Sequence, residues 1–240
     1  MKHLKSLIDD RTSAILVNNP SNPCGSNFTV QHLKDILEVA SQNYLPIISD
    51  EIYAGMNWTE HPFTALYTIP SDVPIITVGG LAKRWLVPGW RVGWVVLHER
   101  SGLFKDIRRG VANLTQTQLH PNTVFQTALP TILKTPQSFF DDIVKILKSN
   151  AKLITEGLSD APGLHVIEPQ GAMYAMVGSE INMVNMQIAL DFEKWDDIKD
   201  TFAFAQKLMD EENVLCLPGE CFFKSGFVRV GRSYVGILAN

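Results

Sequence analysis

Cysteine is scarce in this chain of 240 residues. The three present, Cys24, Cys216 and Cys221, are odd in number and lack the close paired spacing of a zinc site. Reduced thiols in the cytosol are the simplest reading, so a cytoplasmic location is expected. Histidine is thinly spread as well, six residues with no grouping that suggests a metal. Charge of one sign is not in excess. With 21 basic and 25 acidic side chains the net charge is -4, which leaves no electrostatic footprint for nucleic acid. No uninterrupted apolar run approaches membrane-spanning length, and the start, Met1-Lys2-His3-Leu4-Lys5-Ser6, has no apolar core of a secretory signal. Internal repeats and low-complexity tracts are missing too. What remains, 45% hydrophobic, suits a soluble globular protein able to bury the core of one or two domains.

The hydrophobic pattern alternates between strand and helix, which argues for a largely parallel α/β sheet. A strand is expected over 13 to 18, followed by a helix opened by Thr29, with Leu33, Ile36, Leu37 and Ala40 at helical spacing. Further strands are expected near 45 to 49, 74 to 78 and 92 to 97. Leu103, Ile107, Val111 and Leu114 mark an amphipathic helix. Another covers about 121 to 133, where Pro130 should bend or break it. A long helix from about 137 to 159 leads into a second domain. There the pattern predicts strands near 164 to 168, 172 to 177, 213 to 217 and 226 to 231, and a helix near 199 to 212. Asp191-Phe192-Glu193-Lys194-Trp195-Asp196-Asp197 reads as a surface insertion.

Polar residues gather where three of these strands end. Asn18-Asn19-Pro20-Ser21-Asn22-Pro23-Cys24-Gly25 follows Ala14 to Val17, and Ser49-Asp50-Glu51-Ile52-Tyr53 follows Leu45 to Ile48. Gly79-Gly80-Leu81-Ala82-Lys83-Arg84-Trp85-Leu86-Val87-Pro88-Gly89-Trp90-Arg91-Val92-Gly93 follows Pro74 to Val78. The carboxyl ends of strands are where open α/β sheets place their ligands. Lys83 is bounded by small residues and apolar bulk, so its amine can lose a proton more easily than a solvated one and condense with a carbonyl as a Schiff base. Arg91, a permanent cation, sits between glycines that allow close approach to an anion. The pair suits an aldehyde carrying a phosphate. Arg229, alone among apolar residues in Gly226-Phe227-Val228-Arg229-Val230, needs an anionic partner. Each residue also has a plainer reading. Lys83 and Arg91 could be solvated charges on a glycine-rich turn, Asn22 a turn residue, Asp50 a helix or turn cap, and Tyr53 a core aromatic. Cys24 fits turn packing better than a catalytic thiol, and Trp85 and Trp90 fit core packing. The ordered constellation, not any member, carries the functional reading.

With Asn-Pro-Ser-Asn-Pro-Cys-Gly at 19 to 25, Asp50-Glu51-Ile52-Tyr53 and the long lysine motif in view, the chain resembles the fold-type I, class I/II aminotransferases that use pyridoxal phosphate (PLP). Within them it is most similar to the tyrosine branch, and the resemblance runs to about Val230. It implies a PLP-dependent transferase-like α/β fold. Residues 1–148 would be a partial large PLP-binding domain with a mostly parallel sheet, and 149–240 a smaller, truncated C-terminal α/β domain. It also implies roles. Lys83 would hold PLP covalently and shuttle a proton at the substrate Cα, while Asp50 would face the pyridine nitrogen and keep it protonated. Asn22 and Tyr53 would hydrogen-bond the phenolic oxygen, Arg91 would pair with the phosphate, and Arg229, with Asn22, would take the substrate α-carboxylate. No metal is implied. The implied reaction moves an amino group from tyrosine, or another aromatic amino acid, to 2-oxoglutarate in two half-reactions. Amino acid and 2-oxo acid are then the small-molecule partners, and a homodimer the full-length form. A non-catalytic fragment that associates with a full-length subunit, and a lyase or synthase on the same scaffold, stay open. The resemblance begins in the middle of the family's large domain. The phosphate-binding segment, the aromatic that stacks on the pyridine ring and the N-terminal arm would all precede Met1. After Val230 the chain departs from the family's continuation, and Gly80 stands where many relatives use a serine to bind phosphate.

Overall fold

A computed structural model describes residues 1–100, 102–117, 120–161, 164–179 and 200–231. The segment Asp191 to Asp197, and all but Gly231 of the stretch after Val230 that is expected to diverge, lie outside the described residues. The chain forms two compact units: Met1–Pro20 with Asn27–Asp141, and Ser21–Ser26 with Asp142–Asn240.

In the first unit β1 (Ile15–Asn18), β2 (Ile47–Asp50) and β3 (Ile75–Gly80) run parallel, with Ile15 opposite Ile47 and Ile47 opposite Ile75. Alternation puts Ile15, Val17, Ile47 and Ile75 on one face, where they pack against Leu33, Ile36, Leu37 and Ala40 of α2 (Val30–Gln42). Burying each such aliphatic side chain stabilises by about 1.5–3 kcal/mol. The Thr29 hydroxyl accepts from the His32 N–H at 3.2 Å and so caps the helix as expected. The mostly parallel sheet gains one antiparallel strand, β4 (Gly93–His98), which pairs with β3 from Ile75–His98 to Gly80–Gly93. The loop between them holds no crossover helix, and without one the chain returns antiparallel. The helix α1 (Lys2–Leu7) was not legible in the sequence, because six residues are too few to show a period; Leu4 nonetheless packs on the α2 core. Then follows α3 (Lys105–Thr117), as expected. The helix expected over 121 to 133 is two pieces, α4 (Thr123–Thr127) and α5 (Leu129–Ile132), parted at Ala128. Pro130 falls in the first turn of α5, where a missing N–H costs nothing. The long helix is α6 (Gln137–Gly157), whose Phe140, Ile143, Leu147 and Ala151 are buried at helical spacing.

The sheet of the second unit is wholly antiparallel, in the order β5 (Leu164–Ile167), β6 (Tyr174–Ser179), β8 (Phe227–Gly231), β7 (Leu217–Pro218). Packed on it, α7 (Thr201–Glu212) buries Phe204 and Ala205 against Val177, Cys216 and Val228. Asp200 caps it by accepting from the Ala203 N–H at 2.8 Å. The strand expected over 213 to 217 shrinks to Leu217–Pro218. Asn213, with φ 57°, is instead the left-handed end of α7, and the next N–H, from Val214, returns to the Leu208 carbonyl at 3.1 Å. Val214 and Leu215 are left exposed.

Candidate active site

Parallel register brings Asn18, Asp50 and Val78 to one level at the carboxyl ends of β1, β2 and β3. The Asp50 carbonyl accepts from the Asn19 N–H at 3.1 Å and from Asn18 Nδ2 at 3.3 Å, and the Glu51 N–H donates to Val78 at 3.0 Å. Asp50 Oδ1 accepts from the Ile52 N–H at 3.2 Å, so the plainer role of turn cap is present; no cation pairs with this carboxylate among the described residues. The same turn buries Tyr53, and the Lys83 ammonium lies 5.7 Å from the centre of its ring. Lys83 is half-buried in the loop after β3. The backbone beside it is held by fully buried Leu81 and by Trp85, whose Nε1 donates to the Ile132 carbonyl at 3.0 Å and whose ring meets Phe140 edge-on. Trp90 stacks on Phe125 with ring centres 4.9 Å apart, so both tryptophans pack within the first unit. Arg91 follows with φ 53°, exposed, its Nη1 donating to the Pro88 carbonyl at 3.1 Å and no carboxylate partner among the described residues. A Cβ on Gly80 would stand 2.9 Å from the Val92 carbonyl, so the close pairing with β4 accounts for glycine there.

Next to Asp50, buried Glu51 does work that the sequence did not announce. Its Oε1 accepts from the Ser49 hydroxyl at 3.0 Å and from the Leu66 N–H at 2.9 Å, tying the segment after Tyr53 back to β2. Burial pushes its carboxyl above the ordinary value, against the two hydrogen bonds and with the help of the neighbouring Asp50 charge.

Asn22 and Arg229 belong to the second unit. The turn from Ser21 to Ser26 carries Asn22 and closes through a Ser21 N–H to Ser26 carbonyl bond of 2.9 Å. Gly25, with φ 70°, accepts at its carbonyl from the Gln170 and Gly171 N–H groups at 2.8 and 2.7 Å. Cys24 lies in the same turn, 3.3 Å from the Ser26 hydroxyl. Burial opposes ionisation of its thiol, but hydrogen bonds to Ser26 and Ser21 outweigh it and hold the pKa below the usual value. Arg229 Nη1 donates to Asn22 Oδ1 at 2.9 Å. The rings of Tyr174 and Phe222 lie 4.1 and 4.9 Å from the guanidinium carbon. Neither ring was singled out in the sequence. Tyr174 is diagonal to Arg229 across β6 and β8, since Met176 faces Arg229 and Tyr174 faces Gly231.

This donor set fits PLP. Among the described residues the first unit offers an amine, a carboxylate with no cation beside it and a guanidinium with no anion beside it, suited to the aldehyde, the pyridine nitrogen and the phosphate of the cofactor. Among the described residues Arg229 Nε is buried with no acceptor, and the groups that hold the guanidinium are neutral, an environment suited to a carboxylate.

An α/β fold with a lysine past one strand end and a carboxylate at its neighbour's end is an arrangement able to hold PLP. Residues 1–232 match the family described as aminotransferase class I and II, and the chain belongs to that PLP-dependent family. It is 45% identical over 232 residues to tyrosine aminotransferase of Mus musculus, covering 96% of this chain and 49% of that protein. A crystal structure of tyrosine aminotransferase from Leishmania infantum superposes with a TM-score of 0.85 at 36% identity, over 96% of this chain and 54% of the other. A cystine lyase of Arabidopsis thaliana is 33% identical over 94% of this chain and 52% of its own length. The chain thus spans about half the length of the curated relatives it matches.

Proposed function

We propose that this protein transfers the amino group of an aromatic amino acid, tyrosine foremost, to 2-oxoglutarate, giving 4-hydroxyphenylpyruvate and glutamate in the course of amino-acid catabolism. The reading places it in the cytoplasm as a homodimer in its full-length form. When bound, PLP supplies an electron sink for the carbanion formed at the substrate Cα. Lys83 holds the cofactor and moves the proton at that carbon. The Asp50 carboxylate accepts from the protonated pyridine nitrogen. Tyr53 would donate to the phenolic oxygen, and the family resemblance assigns Asn22 the same role. Arg91 pairs with the phosphate, and Arg229 takes the α-carboxylate.

The observation that carries this reading is the set of charges that meet no opposite charge among the described residues, Asp50 and Arg91 in one unit and Arg229 in the other. Similarity to tyrosine aminotransferases supports the choice of amino acid. A lyase acting on a sulfur amino acid is the second reading, favoured by the cystine lyase relative, because these residues hold the cofactor without choosing the bond that breaks. The test begins with PLP, borohydride reduction and peptide mapping of the full-length form. The pyridoxyl group is expected on Lys83, and its appearance only on other lysines refutes the site. Tyrosine and cystine are then compared as substrates; pyruvate and ammonia from cystine, with no amino transfer from tyrosine, would install the lyase reading instead.

A further inference from the structure

We propose that Tyr174 and Phe222 are positioning residues whose rings hold the Arg229 guanidinium without neutralising it, and so set the strength of carboxylate binding. The proposal rests on Arg229 being the carboxylate site. The rings stand 4.1 and 4.9 Å from the guanidinium carbon, close enough for their electron-rich faces to attract the cation. Among the described residues the hydrogen-bond acceptor for Arg229 is the Asn22 amide oxygen at 2.9 Å. All three are neutral. An aspartate or glutamate would hold the arginine as firmly, but it would compete with an incoming carboxylate for the same charge. Rings and an amide fix the plane of the guanidinium and leave its full positive charge for the ligand. They also offset part of the cost of the buried Nε–H that has no acceptor.

The chain builds the clamp deliberately on rigid parts. Tyr174 opens β6, which is paired with β8 on the register that carries Arg229. Phe222 ends the 3-10 turn Gly219–Phe222, and the following Phe223 adopts φ 56° and stands fully exposed. One phenylalanine is turned onto the arginine and its neighbour is turned away.

The test is calorimetric, on the full-length protein freed of PLP. The probe is 3-(4-hydroxyphenyl)propionate, a carboxylate without an amine, and 3-(4-hydroxyphenyl)propan-1-ol is the control without the carboxylate. Phe222→Leu and Tyr174→Leu should each weaken the propionate roughly five- to tenfold and leave the alcohol unchanged. Phe222→Tyr and Tyr174→Phe should retain the binding, and Phe223→Leu should match the parent protein. Pentafluorophenylalanine at position 222 keeps the ring's shape and reverses its electrostatics, so it should weaken the propionate as leucine does. Should the leucine variants not fold, this substitution decides alone. Propionate binding equal to that of the parent with the fluorinated ring overturns the clamp. Arg229→Lys separates the two levels of the argument. If it weakens the propionate while the ring variants do not, the clamp fails and the carboxylate site stands; if it has no effect, the carboxylate reading of Arg229 fails.

Discussion

Replacing Gly25 by alanine attacks the anchor of the Asn22 turn at a site where geometry dictates the cost. The residue has φ 70°, a region where an L side chain costs about 1–2 kcal/mol. A Cβ there would also meet Pro169 Cβ at 2.8 Å and the Gly171 and Tyr174 carbonyl oxygens at 2.9 Å. Two of these are backbone atoms and the third belongs to a proline ring, so no rotamer change relieves the overlap. Overpacking of this kind costs about 1–3 kcal/mol. The turn must therefore move, lengthening the bonds from the Gln170 and Gly171 N–H groups to the Gly25 carbonyl and disturbing the contact between Asn22 and Arg229. Gly226 is the natural control, because its φ of 76° carries the same backbone penalty and a Cβ there meets nothing within 4 Å. Urea titration followed by hydrogen exchange of the β6 and β8 amides reads the stability of the second unit. Gly25→Ala should lose about 2–5 kcal/mol and Gly226→Ala about 1–2. Losses within about 0.5 kcal/mol of one another would show that the turn is not seated as described.

Two further outcomes follow from the first unit. In the full-length form Asp50→Ala should lower kcat/KM by at least about a hundredfold, because the charge that keeps the pyridine nitrogen protonated is gone; Tyr53→Phe, which deletes one neutral hydrogen bond, should lower it roughly fivefold. Steady-state kinetics with tyrosine checks the pair, and equal losses would reverse the roles. Glu51 has a raised carboxyl pKa in the folded state, so the stability it contributes is present when it is protonated, below about its ordinary value, and is lost as pH rises through the raised one. Glu51→Gln keeps an oxygen for the Ser49 and Leu66 donors but cannot ionise. Thermal melts between pH 4 and pH 8, bounds roughly spanning the carboxylate range, should show the variant gaining on the parent as pH rises. A difference that stays constant with pH would mean that Glu51 is not desolvated.

The residues legible in the sequence are those whose signal is local. Apolar alternation at Ile15 and Val17, helical spacing at Leu33, Ile36, Leu37 and Ala40, and the polar cluster after each strand all lie within a few residues of what they describe. Asp50 and Lys83 could be singled out together because adjacent parallel strands both end where the polarity changes. The surroundings of Arg229 obey a different rule. Asn22 is 207 positions away from it, and Tyr174 reaches it only through the diagonal of an antiparallel register that no local pattern specifies. The strand expected near 213 to 217 shrinks for a local reason instead: Val214 and Leu215 look like strand residues, but the left-handed Asn213 ends a helix there and the Val214 N–H turns back to the Leu208 carbonyl. Lone Arg229 amid apolar neighbours raises the expectation of an anionic partner, and the described residues around it are neutral. What supplies the rest is packing at long range, and among the described residues it supplies neutral groups, which on the proposed reading would leave the arginine's charge open to a ligand.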